Sequence, residues 1–313
     1  MVSDRSFSTI LNNDYFDKRT YAFIPVKKPI LTKHTVKEIL RHAMTKSISK
    51  LKVTLDLGLS TSHIAIEDGV IVLPYNERIQ LDKMASCVNE LNDDDVLVIM
   101  QGNIYKIAFS AEGNFYKLKA VGPRTAPTLE INGIHMHRIV GITPWKDSLL
   151  KIRYARIKRC VKVLDVCTGL GYTAIASLLR GACKVVTVEI DEYVLKIASY
   201  NPWSWKLSSD RIMIINDDAT EVVSRIKDSS FDRIIHDPPI LPLAGELYSK
   251  EFYKELFRIL KKGGILFHYT GKPGHSRGIN ITKGVTNRLR QVGFEVKIAE
   301  RASGVVAFKP RSK

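Results

Sequence analysis

The sequence predicts an α/β protein with a doubly wound, mostly parallel seven-stranded sheet and a smaller β-rich N-terminal domain. Two observations lead to this fold class. From residue 161 onward, short apolar runs alternate with helical patterns, as in a parallel sheet that helices cover on both faces. Before residue 140, short strand patterns are instead separated by turn sequences. We therefore expect a β-rich accessory domain over residues 1–140, with a role in substrate recognition open to it, and a second domain over 141–313.

A single helix and three hairpins are predicted in the β-rich domain. Thr35-Val36-Lys37-Glu38 has the spacing of a capping box, and residues suited to a buried helix face follow as far as Ser47. Three turn sequences lie between strand patterns and predict hairpins, Asn-Gly being the strongest signal. They are Asp68-Gly69, Glu112-Gly113-Asn114 and Asn132-Gly133.

The second domain is expected to begin with a helix. Thr143-Pro144 resembles a cap followed by proline at the first helical position, and about four turns should follow, ending near Cys160. Apolar residues of this helix should pack inward, while its basic residues face solvent or phosphate. These basic residues are Lys151, Arg153, Arg156, Lys158 and Arg159.

Strands and helices then alternate to the end of the chain. Apolar runs predict strands at 161–166, 184–188, 212–215, 233–236 and 265–269. Helical patterns lie between them at 172–180, 191–200, 219–227 and 249–261. A helix at 281–291 precedes two strands, at 294–299 and 305–308, that could close the sheet as an antiparallel pair.

The composition of the 313 residues is that of an ordinary globular protein, with a formal net charge of +16. Residues 1–150 hold 19 basic and 16 acidic residues, whereas the remainder holds 29 basic and 16 acidic residues. The basic excess thus lies on the C-terminal half, where it attracts polyanions such as RNA and repels polycations. A basic protein without a nucleic-acid partner is the alternative.

Membrane, secretory and metal-binding classes are disfavoured. No apolar run is long enough to span a membrane, and the N-terminus is polar and charged, unlike a signal peptide. The four cysteines form no Cys-x-x-Cys pair. His135 and His137 share one face of a strand, but two histidines without a third ligand are more often structural. We expect a cytoplasmic protein without a bound metal.

A glycine-bearing turn after the first strand of the second domain predicts a cofactor site. Gly169 and Gly171 allow a ligand to approach the backbone, and the helix that follows offers free N–H groups. Glu189 ends the next strand, where its carboxylate can accept hydrogen bonds from both ribose hydroxyls. Asp218-Ala219 follows the third strand, where an adenine amine would lie. A nicotinamide cofactor competes, but its fingerprint is matched at the third position only by Ala174.

These residues resemble the class I S-adenosylmethionine-dependent methyltransferases over about residues 140–313. The first motif of that family is acid-x-Gly-x-Gly-x-Gly, and Cys167 here replaces its first glycine. The resemblance implies S-adenosylmethionine as the cofactor, with Asp165 near its amino-acid end, Glu189 on the ribose and Asp218 on the adenine. The expected cofactor-binding residues are Asp165, Cys167, Thr168, Gly169, Gly171, Tyr172, Glu189, Ile190, Asp218 and Ala219.

The fourth strand ends in Asp237-Pro238-Pro239, which we predict to be catalytic. Two prolines fix two φ angles and supply carbonyls without competing donors, and the carboxylate adds an acceptor. Asp237 and the Pro238 carbonyl could therefore bind both N–H groups of a planar amine. The sequence resembles the Asp/Asn-Pro-Pro-aromatic motif of methyltransferases that act on exocyclic or amide nitrogens. Ile240 replaces the aromatic residue, whose stacking role could fall to Tyr172, Tyr248 or Tyr269.

A glycine-rich basic loop follows the fifth strand and contains Lys272, His275 and Arg277. It either contacts the substrate, for example by clamping a phosphate backbone, or serves as a flexible connector.

Three functions remain open. The tail pattern resembles an archaeal group of predicted methyltransferases with the Asp-Pro-Pro motif. Together with the charge, this predicts methylation of an exocyclic base amine of ribosomal or transfer RNA, at cytidine N4 or guanosine N2. A protein side-chain amide is an alternative substrate, and the sequence does not give the oligomeric state. Residues 247–264 also resemble aminopropyltransferases such as spermidine synthase, although the different glycine motif and the basic field disfavour a polycation substrate. A non-catalytic RNA-binding protein is the third alternative, disfavoured by the intact Asp165, Glu189 and Asp237.

Overall fold

The computed structural model describes residues 7, 11, 13–45, 51–239, 241–271 and 281–311. The chain forms two compact units. One comprises the N-terminal residues up to Phe23, Lys146–Glu192 and Leu207–Lys313, and the other comprises Ile24–Trp145 and Tyr193–Lys206. Neither unit is one continuous stretch, and the division of the chain at residue 140 stays a prediction. A substrate-recognising role for the β-rich part stays a prediction.

Helices occur in both units. Those of the described residues are α1 (Asn13–Asp17), α2 (Lys33–Thr45), α3 (Leu81–Cys87), α4 (Pro144–Tyr154), α5 (Tyr172–Leu179), α6 (Glu192–Ser199), α7 (Ala219–Ser224), α8 (Lys250–Ile259) and α9 (Ile281–Val292).

Two of these helices differ at their ends from the sequence prediction. α2 starts three residues earlier, because the Thr32 hydroxyl rather than the Thr35 hydroxyl lies at its start and accepts a hydrogen bond from the Thr35 N–H (3.4 Å). α4 begins at Pro144 as predicted but ends at Tyr154, one to two turns before Cys160. Arg156 and Cys160 have φ angles of 52° and 59°, which a right-handed helix does not accommodate.

The β-rich unit contains three antiparallel sheets, with strand orders β1-β6-β7, β2-β3-β4-β5 and β11-β10-β9-β8. All three predicted hairpins form, and both residues of each Asp-Gly, Glu-Gly or Asn-Gly turn have positive φ, as type I′ turns require. The strands are β1 (Ile30–Thr32), β2 (Leu51–Val53), β3 (Ser62–Glu67), β4 (Val70–Val72), β5 (Arg78–Gln80), β6 (Val96–Met100), β7 (Asn103–Lys106), β8 (Ala108–Ala111), β9 (Asn114–Lys119), β10 (Thr128–Ile131) and β11 (Ile134–His135).

The other unit is built on a seven-stranded sheet with the order β14-β13-β12-β15-β16-β18-β17. The first five strands in this order are parallel, and β18 pairs antiparallel with both β16 and β17. The predicted mostly parallel seven-stranded sheet is therefore confirmed. Its strands are β12 (Lys162–Val166), β13 (Lys184–Glu189), β14 (Ile212–Asn216), β15 (Phe231–His236), β16 (Leu260–Tyr269), β17 (Glu295–Ala299) and β18 (Gly304–Phe308).

Helices cover both faces of this sheet. Apolar residues of α7, α8 and α9 share one buried core with alternate residues of the strands, among them Leu164 and Leu266. Phe267, the next residue of β16, points to the opposite face, where its ring contacts Tyr154 of α4 (6.5 Å between ring centres). This alternation explains why the strands read as continuous apolar runs.

An N-terminal segment covers the edge strand β14. The Tyr21 N–H donates to the Ile214 carbonyl and the Asn216 N–H donates to the Arg19 carbonyl, both at 2.9 Å. Thr20 thereby forms an antiparallel bridge with Ile215. Pairing of this kind satisfies backbone groups that an open sheet edge would expose.

No helix in the described part of the chain combines the length and the apolar character needed to cross a membrane.

Candidate functional site

The ends of adjacent parallel strands bring the predicted site residues to one edge of the sheet. Val166 of β12 pairs in register with Val188 of β13 and with His236 of β15. The residues that follow, Cys167, Glu189 and Asp237, therefore lie side by side. The Asp237 N–H also donates to the Val166 carbonyl (3.3 Å), which ties the Asp-Pro-Pro segment to the start of the glycine turn.

The glycine turn is shaped by three residues with positive φ, namely Cys167 (70°), Gly169 (52°) and Gly171 (73°). A Cβ atom on Gly171 would lie 2.5 Å from the Leu207 side chain, whereas one on Gly169 would meet nothing within 4 Å. Gly171 thus serves close packing, and Gly169 borders open space. Cys167 adopts the left-handed conformation despite its side chain, at a cost of about 1–2 kcal/mol, and its side chain packs against the apolar core.

Glu189 is buried beside this turn. One carboxylate oxygen accepts a hydrogen bond from the Gly169 N–H (2.9 Å) and the other from the Asp191 N–H (3.2 Å). The backbone N–H of Ile190 also acts on this carboxylate, and acceptor capacity beyond these three N–H groups remains for a ligand. Burial raises the pKa of Glu189 to about 7, although the bond from the Gly169 N–H opposes the rise.

Asp165 lies in β12, two residues before Cys167, where the turn begins. It is fully buried, and one of its oxygens accepts a hydrogen bond from the Thr187 hydroxyl (2.9 Å). The Thr187 hydroxyl also lies 2.7 Å from the Thr168 hydroxyl, so the side chains of Asp165, Thr187 and Thr168 form one hydrogen-bonded chain. Burial raises the pKa of Asp165 to about 7, and hydrogen bonds from Thr173 and Thr187 oppose the rise. Asp165 and Thr168 therefore shape the turn from beneath.

The other predicted cofactor-binding residues, including Asp218 and Ala219 expected at the adenine, follow the ends of β13 and β14. Asp218 is the N-cap of α7, and its carboxylate accepts a hydrogen bond from the Thr220 N–H (2.7 Å). Ala219 is buried as the first residue of that helix, whereas the Ile190 side chain is 66% exposed. The Asn216 side-chain amide donates to the carbonyls of Glu189 (2.8 Å) and Ile190 (3.2 Å) and holds the two strand ends together.

Sequence reasoning missed an N-terminal contribution to this end of the site. The Tyr15 hydroxyl donates to Asp217 (2.6 Å), and Arg19 forms an ion pair with the same carboxylate. The guanidinium groups of Arg19 and Arg225 lie 4.1 and 4.4 Å from the centre of the Tyr15 ring. No local pattern announces this contact, because it joins residues about 200 positions apart.

Lys151 of α4 is buried against Asp237, and the expectation that it faces solvent or phosphate is wrong. Its ammonium lies 2.6 Å from Asp237 and 3.0 Å from Asp147, and 4.4 Å from the centre of the Tyr269 ring. The Lys151 side chain is only 4% exposed. Asp147 lies one helical turn earlier, so both residues point from α4 to the same face.

The charges of this cluster determine its protonation. Burial by itself lowers the pKa of Lys151, but the carboxylates of Asp237 and Asp147 outweigh this effect and raise the pKa above its ordinary value. Burial raises the pKa of Asp237, and the Lys151 ammonium opposes that rise. The ammonium thus favours the ionised form of Asp237.

A buried aromatic network fixes the Pro238-Pro239 segment. The Tyr248 hydroxyl donates to the Pro239 carbonyl (2.8 Å), and His236 Nε2 lies 2.9 Å from the Leu247 carbonyl. The rings of His236 and His268 are 4.3 Å apart, and both side chains are fully buried. Burial lowers the pKa of His236 to about 4, so this imidazole is neutral at physiological pH.

The remaining predicted residues are placed as follows. Tyr172 is 1% exposed and Tyr248 is 4% exposed, whereas Tyr269 is half-buried at the end of β16. Ile240, Lys272, His275 and Arg277 lie outside the described residues. In the described ranges, no group of three or more His, Cys, Asp or Glu side chains could hold a metal ion.

Comparison with known proteins gives a matching family model and a relative that spans nearly the whole chain. A family model described as "Spermine/spermidine synthase domain" matches residues 162–300. An uncharacterized protein of Methanocaldococcus jannaschii, MJ1233, is 43% identical over 293 residues, covering 93% of this chain and 96% of that protein.

Two further relatives carry names that refer to transferases. The M. jannaschii protein named "Putative protein N5-glutamine methyltransferase MJ0928" is 29% identical over 55% of this chain and 91% of its own length. The polyamine aminopropyltransferase of Clostridioides difficile is 33% identical over 35% of this chain and 40% of its length.

A solved structure shares the fold. The structure of a spermidine synthase in complex with the transition state analogue AdoDATO superposes with a TM-score of 0.53 and 20% identity, covering 66% of this chain and 73% of that chain. With the observed strand order, this match shows a fold of the class I S-adenosylmethionine-dependent methyltransferase type.

The buried cluster predicts an unequal response to two substitutions on α4. Lys151→Met should lower the free energy of unfolding by about 3–5 kcal/mol, because it leaves the buried Asp147 and the partly buried Asp237 without their cation. Arg153→Met removes an exposed cation two residues away and should change stability by about 0.5 kcal/mol or less. Urea unfolding of both variants measures the difference, and equal stabilities would contradict the buried ion cluster.

Proposed function

We propose that this chain, which belongs to the same family as the uncharacterized M. jannaschii protein MJ1233, catalyses the S-adenosylmethionine-dependent methylation of an exocyclic base amine of structured RNA. The proposal is based on the chain's own site, because that relative is uncharacterized. The observation that carries the proposal is Asp237-Pro238-Pro239 at the end of β15, bonded to the residue that precedes the glycine turn. A methyl donor held by the turn and an amine held by Asp237 would meet at this edge of the sheet.

The residues of the turn fit S-adenosylmethionine. Gly169 borders open space in which an adenosyl group can lie against the backbone, and the Glu189 carboxylate beside it retains acceptor capacity for ribose hydroxyls. The exposed Ile190 side chain offers an apolar surface for adenine. When bound, S-adenosylmethionine supplies a methyl group on a positively charged sulfur.

Asp237 and Pro238 supply two acceptors for an amine. Lys151 occupies one oxygen of Asp237, and the other remains to accept a hydrogen bond from a substrate N–H group. Tyr248 occupies the Pro239 carbonyl, which leaves the Pro238 carbonyl as the second acceptor. Both acceptors strengthen their bonds as the nitrogen gains positive charge, so they stabilise the transition state more than the bound substrate. The half-buried Tyr269 ring is the candidate for stacking on the base.

The charge of the chain supports RNA as the substrate. The second half of the sequence carries 29 basic and 16 acidic residues, a field that raises the local concentration of a polyanion. Base amines are planar groups of the kind that the acceptors of Asp237 and Pro238 suit. The name of the relative MJ0928 refers to an amide nitrogen, which is also planar.

Aminopropyl transfer is the second candidate, and the match of residues 162–300 to the spermine/spermidine synthase domain favours it. A polyamine acceptor is a cation and requires carboxylates that are free to bind it. Here the Lys151 ammonium lies 2.6 Å from Asp237, so a polyamine cation would have to share this carboxylate with a fixed cation. This local positive charge and the basic field of the second half both disfavour a polyamine substrate, and methyl transfer is therefore the first candidate.

The choice of donor tests the proposal. Methyl-labelled S-adenosylmethionine and RNA from a strain lacking the gene should give labelled RNA, and nucleoside digestion should yield a base methylated on its exocyclic amine. Decarboxylated S-adenosylmethionine with putrescine should give no polyamine product. Polyamine formation, or label in protein rather than RNA, would refute the RNA assignment.

Cofactor affinity should depend on the ionisation of Glu189. An ionised carboxylate accepts bonds from both ribose hydroxyls, so affinity should be full above the pKa of about 7 and fall up to about tenfold for each pH unit below it. Calorimetric titration with S-adenosylhomocysteine from pH 5.5 to 8.5 measures this slope. Glu189→Gln should bind weakly without the slope, whereas the exposed Glu192→Gln should retain it. A slope that survives in Glu189→Gln would assign the titration to another group, such as Asp165.

Asp237→Asn should lower the rate of methyl transfer by about two to four powers of ten while cofactor affinity stays near wild type. Asparagine keeps the shape but loses the charge that stabilises the developing ammonium, and its NH₂ group can oppose the substrate donors. Asp232→Asn, at the other end of β15, is the matched control and should retain wild-type turnover. Single-turnover rates with labelled donor measure both variants, and a wild-type rate in Asp237→Asn would make Asp237 a structural residue.

A further inference from the structure

A cavity lies between α4 and the strands β17 and β18, of which β17 is the edge strand, and it shares no lining residue with the site above. Its volume is about 350 Å³. Four cations line it, and within the described part of the chain no acidic residue does. They are Arg153, Arg156, Lys297 and Arg301.

Aromatic rings lie among these cations. Phe308 is half-buried in the cavity wall, with the Arg156 guanidinium 5.3 Å and the Lys297 ammonium 5.9 Å from its ring centre. Tyr154 lines the same cavity. Cations interleaved with aromatic rings are typical of surfaces that bind a phosphate backbone and stack on a base.

The chemistry of the cavity selects a phosphate-bearing ligand. Like charges held in one cavity repel each other, and a bound anion relieves that repulsion. A guanidinium group matches two phosphate oxygens at once, which a lysine-only patch does not. A flat ring next to these groups adds a surface for a base, which inorganic phosphate and an acidic peptide do not use.

We propose that this cavity binds a phosphodiester and an adjacent base of an RNA strand. The identity of the polyanion as RNA rests on the proposed function. α4 links the two sites, since Lys151 reaches Asp237 while Arg153, about 3 Å further along the helix axis, lines the cavity. Both sites therefore use α4 as a common wall, with Lys151 on one side of the helix and Arg153 on another.

Two double variants with the same loss of charge test the proposal. Arg156→Gln/Lys297→Gln removes two cations of the cavity, and Lys227→Gln/Lys254→Gln removes two exposed cations elsewhere on the same unit. The probe is a fluorescent 20-nucleotide oligocytidylate, titrated with the full chain at several salt concentrations. The cavity variant should bind about tenfold or more weakly and reduce the slope of log K against log salt by about 2. The control variant should resemble wild type.

One further variant and two competitors distinguish RNA from other anionic ligands. Phe308→Leu should weaken RNA binding about fivefold to tenfold without changing the salt slope, because it removes stacking but no charge. Inorganic phosphate and a 20-residue polyglutamate should compete poorly with the labelled RNA. Competition by either one as effective as that of unlabelled oligocytidylate, or equal losses in both double variants, would overturn the proposal.

Failure of the cavity and failure of the proposed function give different results. Wild-type methyl transfer to RNA with cavity variants that bind RNA normally would refute the cavity alone. RNA binding that depends on the cavity, without any methyl transfer by the wild-type protein, would refute the activity alone.

Discussion

The buried ammonium of Lys151 is the interaction on which the arrangement of the site depends. It joins α4 to the end of β15 through Asp237 and to its own helix through Asp147. A buried charge is tolerated only when opposite charges and hydrogen bonds surround it, and here two carboxylates and the Tyr269 ring do so. One cation therefore joins α4 to Asp237, orients this carboxylate and favours its ionised form. A lysine at this point is better suited than arginine, because its compact ammonium fits between two carboxylates in a confined space.

A second polar network supports the glycine turn from below. Asp165, Thr187 and Thr168 are connected through their side chains, and Glu189 holds the Gly169 N–H. These groups are buried, and their mutual bonds offset the cost of removing them from water. The turn is consequently held in one shape by the protein itself. A cofactor that enters such a preorganised turn loses less binding energy to ordering of the backbone.

The fold alone does not distinguish methyl from aminopropyl transfer, since both kinds of enzyme appear among the relatives. Charge is what separates them physically. An aminopropyltransferase must attract a polycation, whereas this site pairs its strand-end carboxylate with a lysine and lies in a half of the chain with excess basic residues. The cavity lined by Arg156 and Lys297 adds positive charge to the same unit.

Local patterns in the sequence were sufficient for much of this structure. The turn pairs at Asp68-Gly69 and Asn132-Gly133 require positive φ angles that few other residues adopt, so their hairpins were predictable. The apolar runs and the glycine turn likewise specify the strands, the parallel sheet and the edge at which Glu189 and Asp237 meet. These features depend on neighbours within a few residues or on the general rule that parallel strands share one direction.

Only the tertiary structure decided which charged residues are buried and what they contact. The spacing of Asp147 and Lys151 is that of an ordinary solvent-exposed helical pair, and nothing local shows that Asp237, 86 residues further on, removes Lys151 from water. The same holds for Tyr15 and Asp217, and for Arg156 and Phe308, which are far apart in the chain. The end of α4 was also mispredicted, because the left-handed residue Arg156 is not one that sequence patterns mark. Burial and charge pairing between residues far apart in the chain depend on how the helices and strands pack against each other. Local sequence patterns do not specify that packing.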